Sequence, residues 1–190
     1  MKNGEEIMDI FNHDYYRSTG ENFKLISGTY RLLISHALLY VFLIRKLQLN
    51  TNKVSNIFYR LLLSRMREKF GLEISQKSKI GKGFVISHAF NITISSEATI
   101  GENVSIFKGA TIGGESRGIR IGAPTIGDKV WIGVNSTIVG KIKIGNNVLI
   151  SPNSFVNFNV PDNSVVVGNP GKIIPSENAT ENYIIRVIKD

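Results

Sequence analysis

From residue 126 onward an aliphatic side chain recurs at every sixth position: Ile126, Ile132, Ile138, Ile144, Ile150 and Val156. A spacing of six fits neither the helical period nor the two-residue alternation of a plain strand. It fits a coil with three flat sides, each a short strand plus a corner. The aliphatic residue points inward and stacks on its counterpart one coil later. Hexapeptide repeats of this kind predict a parallel β-helix, whose one-dimensional core buries each coil only by its neighbours. The same spacing runs back through Ile112, Ile106, Ile100 and Ile94, then slips by two residues before Ile86, Ile80 and Ile74. The step from Ile112 to Ile126 is 14 residues, so an insertion lies within residues 113–125. It is rich in glycine and arginine and should project from a corner as a loop, where function commonly sits.

Upstream of residue 72 the pattern is helical. Phe11, Tyr15 and Tyr16 precede the turn signal Ser18-Thr19-Gly20. Tyr30 to Leu47 reads as one long apolar helix. A second helix is predicted over residues 53–70, with Ile57, Phe58, Leu61, Leu62 and Met66 at helical spacing and Gly71 as its C-terminal cap. The chain therefore divides into a helical region (1–71), a β-helix domain (72–174) with the inserted loop (113–125), and a tail (175–190). A short helix or strand is predicted in the tail near Tyr183 to Ile188.

Composition narrows the chemistry. The 190 residues contain no cysteine, which excludes disulfides and thiolate chemistry, and only three histidines, His13, His36 and His88. No metal site is predicted. The net charge of +8 suits a polyanionic ligand or an acidic substrate. No basic run is interleaved with aromatics, so nucleic acid is not an expected partner. Residues 1–9 are polar and acidic, unlike a leader. The apolar run Leu32 to Ile44 is 13 residues long, short of the roughly 20 needed to span a bilayer. A cytoplasmic protein is expected.

Five short stretches carry a resemblance: Gly71-Leu72-Glu73-Ile74-Ser75, Ser87-His88-Ala89, Gly113-Gly114, Pro124-Thr125-Ile126-Gly127-Asp128 and Val167-Gly168-Asn169-Pro170. With the helical region before the repeats, the chain resembles the serine acetyltransferase group of hexapeptide-repeat acyltransferases over about residues 1–175. Within it the sequence looks most like the branch found in capsule and exopolysaccharide gene clusters. The resemblance implies a left-handed β-helix, acetyl-coenzyme A (acetyl-CoA) as donor, and a homotrimer with active sites between subunits. Trimers can pair into hexamers in this group. The helical region can also pack on the β-helix end or rest near a membrane.

The resemblance makes His88 the catalytic base. Acetyl transfer to a hydroxyl needs a group that accepts the hydroxyl proton near pH 7, and imidazole suits that. Glu73, 15 residues earlier, falls just short of one full coil below His88. Its carboxylate can accept the second ring proton and stabilise the imidazolium.

Two departures bear on the acceptor. Where the group has an aspartate before the catalytic histidine and a further histidine 35 residues after it, this chain has Ser87 and Ala123. Losing charged contacts to a zwitterion costs about 1.5–3 kcal/mol each. A sugar hydroxyl in surface-polysaccharide synthesis is therefore the expected acceptor, with serine O-acetylation in cysteine biosynthesis, sugar N-acetylation and a non-catalytic scaffold as alternatives. Asp14 matches a substrate-side aspartate of the group, and a solvated helix-end acid is the competing reading. Gly114, Val134 and Pro152 match positions along the pantetheine arm, although Pro152 has no amide hydrogen to offer. Lys172 can pair with a coenzyme phosphate. Arg117 and Arg120 can reach the coenzyme or an acidic acceptor, or simply keep the inserted loop solvated. Trp131 points outward and is expected at a trimer interface. His36 is expected to make an interhelical hydrogen bond.

Overall fold

The structure, a computed structural model, describes residues 2–187, with side chains from residue 6. Four helices precede a three-sided parallel β-helix: α1 (Lys2–Thr19), α2 (Leu25–Ile34), α3 (His36–Leu49) and α4 (Lys53–Phe70). The helix predicted over residues 53–70 is found at those bounds. The Asn52 side chain accepts from the Val54 and Ser55 amides, and Gly71 closes the helix at φ +65, a left-handed angle that glycine adopts cheaply. The single helix predicted from Tyr30 to Leu47 is instead two, bent by 110°. The apolar pattern runs unbroken through the bend. Ser35 sets it by leaving helical angles (φ −111, ψ 103) and accepting the Leu38 amide as a cap. Among the described residues no single helix is long and apolar enough to cross a membrane.

The β-helix has the three flat sides that a period of six requires. The first face stacks β1 (Leu72–Ile74), β4 (Ile92–Ile94), β7 (Thr111–Gly113), β10 (Thr137–Val139) and β13 (Phe155–Val156). The second stacks β2 (Lys79–Ile80), β5 (Thr99–Ile100), β8 (Thr125–Ile126) and β11 (Lys143–Ile144). The third stacks β3 (Val85–Ser87), β6 (Ser105–Phe107), β9 (Val130–Ile132), β12 (Val148–Ile150) and β14 (Ser164–Val167), closed by antiparallel β15 (Lys172–Pro175). The aliphatic positions pair in register, Ile94 with Ile112 and Ile112 with Ile138 on the first face, and Ile106 with Ile132 on the third. Ile112, Ile132, Ile138, Ile144 and Ile150 are fully buried.

The two irregularities fall at corners. Ile74 pairs with Ile94, 20 residues on, whereas Ile94 pairs with Ile112, 18 on. The two extra residues lie in the corner between β3 and β4, where His88 and Asn91 both take φ +51. The insertion after β7 is a narrow loop tied by paired backbone bonds between Glu115 and Gly122 (2.9 and 3.0 Å).

The tail after β15 runs through turns to residue 187, without the helix or strand predicted near Tyr183; Ile188 lies outside the described residues. Tyr183 packs on Trp131 at 5.1 Å between ring centroids. Trp131 is thus partly covered by the chain's own tail, where the sequence reading placed it at an interface between subunits.

Candidate active site

His88 is exposed at the edge where the third face turns into the first. Its left-handed backbone is uncommon for a residue with a side chain, and the surroundings hold it there. His36, the first residue of α3, shares a hydrogen bond at 3.1 Å between its Nε2 and the carbonyl of Ala89. Its ring stacks on Phe70 at 4.3 Å, and Phe90 packs against both rings. The Asn91 amide donates to the Phe70 carbonyl at 2.8 Å. His36 therefore ties the helical region to the corner that presents His88, instead of joining two helices. Its place opening an apolar run gave no sign of a partner 53 residues away.

Glu73 does not meet His88 within one chain. It is exposed in the middle of the first face, opposite Thr93 of the next coil. The 15-residue spacing counts coils correctly, but the corner intervenes, and no hydrogen bond joins the two side chains among the described residues. Glu73 instead lines a cavity between the first face and α4, with Arg60, Ser64 and Arg67 on its helical wall.

The donor-side residues divide in the same way. Val134 and Pro152 follow His88 up the same edge, each successive corner linked by a backbone bond such as Asn153 to Val134 (2.9 Å). At about 4.8 Å per coil, His88 to Pro152 is about 15 Å. Lys172 is exposed one corner further on, opening β15 opposite Val167. Gly114 lies on the other edge of the first face, at the base of the inserted loop. Arg117 is exposed at the tip of that loop, and Arg120 pairs with Glu115 at 3.3 Å. Ala123 is half-buried and packs against the core. Ser87 is half-buried beside His88 and faces a separate small cavity with Ser18 and Ser35.

Asp14 is neither a substrate group nor a solvated acid. It is fully buried, accepting from Arg45 at 2.8 and 3.2 Å and from the Phe84 amide at 2.8 Å. Arg45 also donates to the carbonyls of Ile80 and Gly81, both at 2.6 Å. Burial pushes the Asp14 carboxyl up, and Arg45 pulls it back down. Beside it Arg17 donates to Gly83 and Ser105, and burial lowers its guanidinium to about 10 against the opposing pull of Asp14. These groups pin α1 and α3 to the first coil.

Among the described residues no group of three or more His, Asp or Glu side chains is placed to hold a metal ion.

Residues 123–157 match the family model for bacterial transferase hexapeptide (six repeats). A serine acetyltransferase of Staphylococcus epidermidis is 36% identical over 174 residues, covering 91% of this chain and 78% of that protein. Serine acetyltransferase 4 of Arabidopsis thaliana is 41% identical over 113 residues, 60% of this chain but 32% of that longer protein. A solved structure of Neisseria gonorrhoeae serine acetyltransferase in complex with serine superimposes with a TM-score of 0.74 at 29% identity, over 90% of this chain and 69% of that one.

These findings overturn the expected polysaccharide branch and its sugar acceptor: the relatives that cover the chain are serine acetyltransferases. The uncharged Ser87 and Ala123 do not exclude a zwitterion, since residues elsewhere can supply charge to it. The fold, the repeat and the relative that matches 91% of the sequence agree, and the chain belongs to the serine acetyltransferase family of left-handed β-helix, hexapeptide-repeat acyltransferases.

Proposed function

We propose that the protein transfers the acetyl group of acetyl-CoA directly to the hydroxyl of L-serine, in a site shared by two copies of the chain. The observation that carries this reading is the relationship to a serine acetyltransferase along 91% of the sequence, with an exposed histidine held at a strained corner of the repeat. A serine acetyltransferase has also been solved in complex with CoA, at 25% identity and a TM-score of 0.71, which supports the donor.

The shared site follows from how the parts divide. His88, Val134 and Pro152 occupy one edge of the first face, Gly114 occupies the other, and Glu73 stands between them. A homotrimer, in which the His88 edge of one copy meets the first face of the next, unites them. His88 takes the serine hydroxyl proton as the oxygen attacks the thioester carbonyl. The C–S bond then breaks, and the imidazolium returns its proton to the departing CoA sulfur. Glu73 of the neighbouring copy accepts the other ring proton throughout, fixing the tautomer and stabilising the imidazolium. Arg117 and Lys172 flank the site as cations for the coenzyme phosphates.

Release of free CoA from acetyl-CoA should depend on L-serine and exceed that with neutral sugars by at least about 100-fold, the discrimination of a site built on charged contacts to its acceptor. Release that does not respond to serine contradicts the proposal.

A further inference from the structure

The cavity holding Glu73 has a volume of about 460 Å³ and lies between α4 and the first two coils. Arg60, Ser64 and Arg67 project into it from successive turns of one stripe of α4, because residues four and seven apart share a helix face. Glu73 and Ser75 face them from β1 and the corner after it. Arg60, Arg67 and Glu73 are all exposed, and none has a hydrogen bond or ion pair to another described residue. Tyr40 forms the cavity floor. Its hydroxyl is fixed by donating to the Leu72 carbonyl (2.7 Å) and accepting from the Ile74 amide (3.1 Å), within the fields of both Arg67 and Glu73.

The surrounding charge is lopsided. α4, which forms the helical wall, carries five Lys and Arg against one acid, Glu68. The cavity thus presents two free guanidinium groups on a cationic wall, opposite one free carboxylate. A guanidinium pairs with a carboxylate through a planar fork. A dianionic phosphate would be repelled by Glu73. A small molecule carrying one carboxylate and one ammonium satisfies both walls.

We propose that this cavity is the acceptor pocket, and that Arg60 and Arg67 bind the carboxylate of an α-amino acid, while one Glu73 oxygen faces its ammonium side and the other accepts the ring proton of the neighbouring copy's His88. The proposal rests on the serine reading above and extends it. The two arginines take over the charge that Ala123 lacks. They hold the amino acid beside Glu73, where a neighbouring copy's His88 meets its hydroxyl. They are positioning groups for the acceptor and take no proton in the reaction.

The test uses the full chain with Arg60→Gln, Arg67→Gln and both together, since these exposed positions do not carry the fold. Each substitution should raise the KM for L-serine by about 10-fold or more, the effect of losing one hydrogen bond to a charged group. The KM for acetyl-CoA should stay within about twofold. Wild-type preference for L-serine over L-serinamide should collapse in the double variant. Unchanged serine KM, or a rise confined to acetyl-CoA, overturns the inference. Calorimetric titration of L-serine without acetyl-CoA separates the two readings. Serine binding that is lost in the double variant supports the pocket even if wild-type turnover with serine is absent, which would sink only the activity. Absence of serine binding and of serine turnover in the wild type overturns both.

Discussion

His88→Ala is expected to lower kcat by about two to four orders of magnitude while leaving thermal unfolding unchanged. The size follows from removing the group proposed to accept the hydroxyl proton, since a positioned general base contributes about 10² to 10⁴ in rate. The unchanged fold follows from location. His88 is exposed at a corner, and among the described residues its ring meets one other ring, a tilted contact with Phe107 at 6.1 Å. Its left-handed backbone angle is imposed by the surrounding corner, which His36 and Phe70 hold through Ala89 and Asn91. Alanine meets the same Cβ clash at φ +51 as histidine, so the corner that holds one holds the other at little extra cost. Steady-state rates with saturating acetyl-CoA and serine, read beside an unfolding curve, check this. Activity near wild type removes His88 from the mechanism.

Asp14→Ala is expected to have the opposite signature. Removing one partner of a buried ion pair costs about 3–5 kcal/mol. Here it strands Arg45, which is only 2% exposed, and leaves the buried Phe84 amide without its acceptor. Domains are stable by about 5–15 kcal/mol in total, so the loss is severe. At about 2–4 °C per kcal/mol for a chain of this size, Tm should fall by about 10 °C. The milder Asp14→Asn should fold with a smaller loss and keep the serine KM of the wild type. A raised serine KM with an unchanged Tm in Asp14→Asn would return Asp14 to the substrate site.

These two residues mark what the sequence can reveal. The β-helix was legible because its core repeats an aliphatic residue every six positions, and both breaks in that rhythm proved to be corners, one presenting His88 and the other the inserted loop. The end of α4 was legible because Gly71 is a local signal that closes it. The break at Ser35 was not, because apolar residues continue on both sides and a single capping hydroxyl redirects the chain. The burial of Asp14 depends on Arg45, 31 residues away, and nothing in the local pattern links them. The same holds for His36 and Ala89.

The candidate site was legible in its parts and not in its arrangement. Spacing within a repeat places a residue on a coil, and Glu73 does lie one coil below the face that follows His88. Spacing does not say which face of one copy meets which edge of another. The acceptor differs from the expected sugar for a related reason. Ser87 and Ala123 report only on charge within the β-helix, whereas the free charges near Glu73 come from α4. Arg60 and Arg67 lie on the polar side of an amphipathic helix, where arginines are common whether or not they bind anything.

Mixing two inactive variants tests the shared site most directly. Glu73→Gln and His88→Ala chains are purified separately, unfolded, combined in equal amounts and refolded, beside each variant treated alone. If one copy supplies Glu73 and the next supplies His88, random assembly of a cyclic trimer leaves about a quarter of the sites with both residues intact. The mixture should then recover about a quarter of wild-type activity with acetyl-CoA and L-serine. A mixture that forms hybrid oligomers yet stays as inactive as its components would place both residues in one chain and contradict the account.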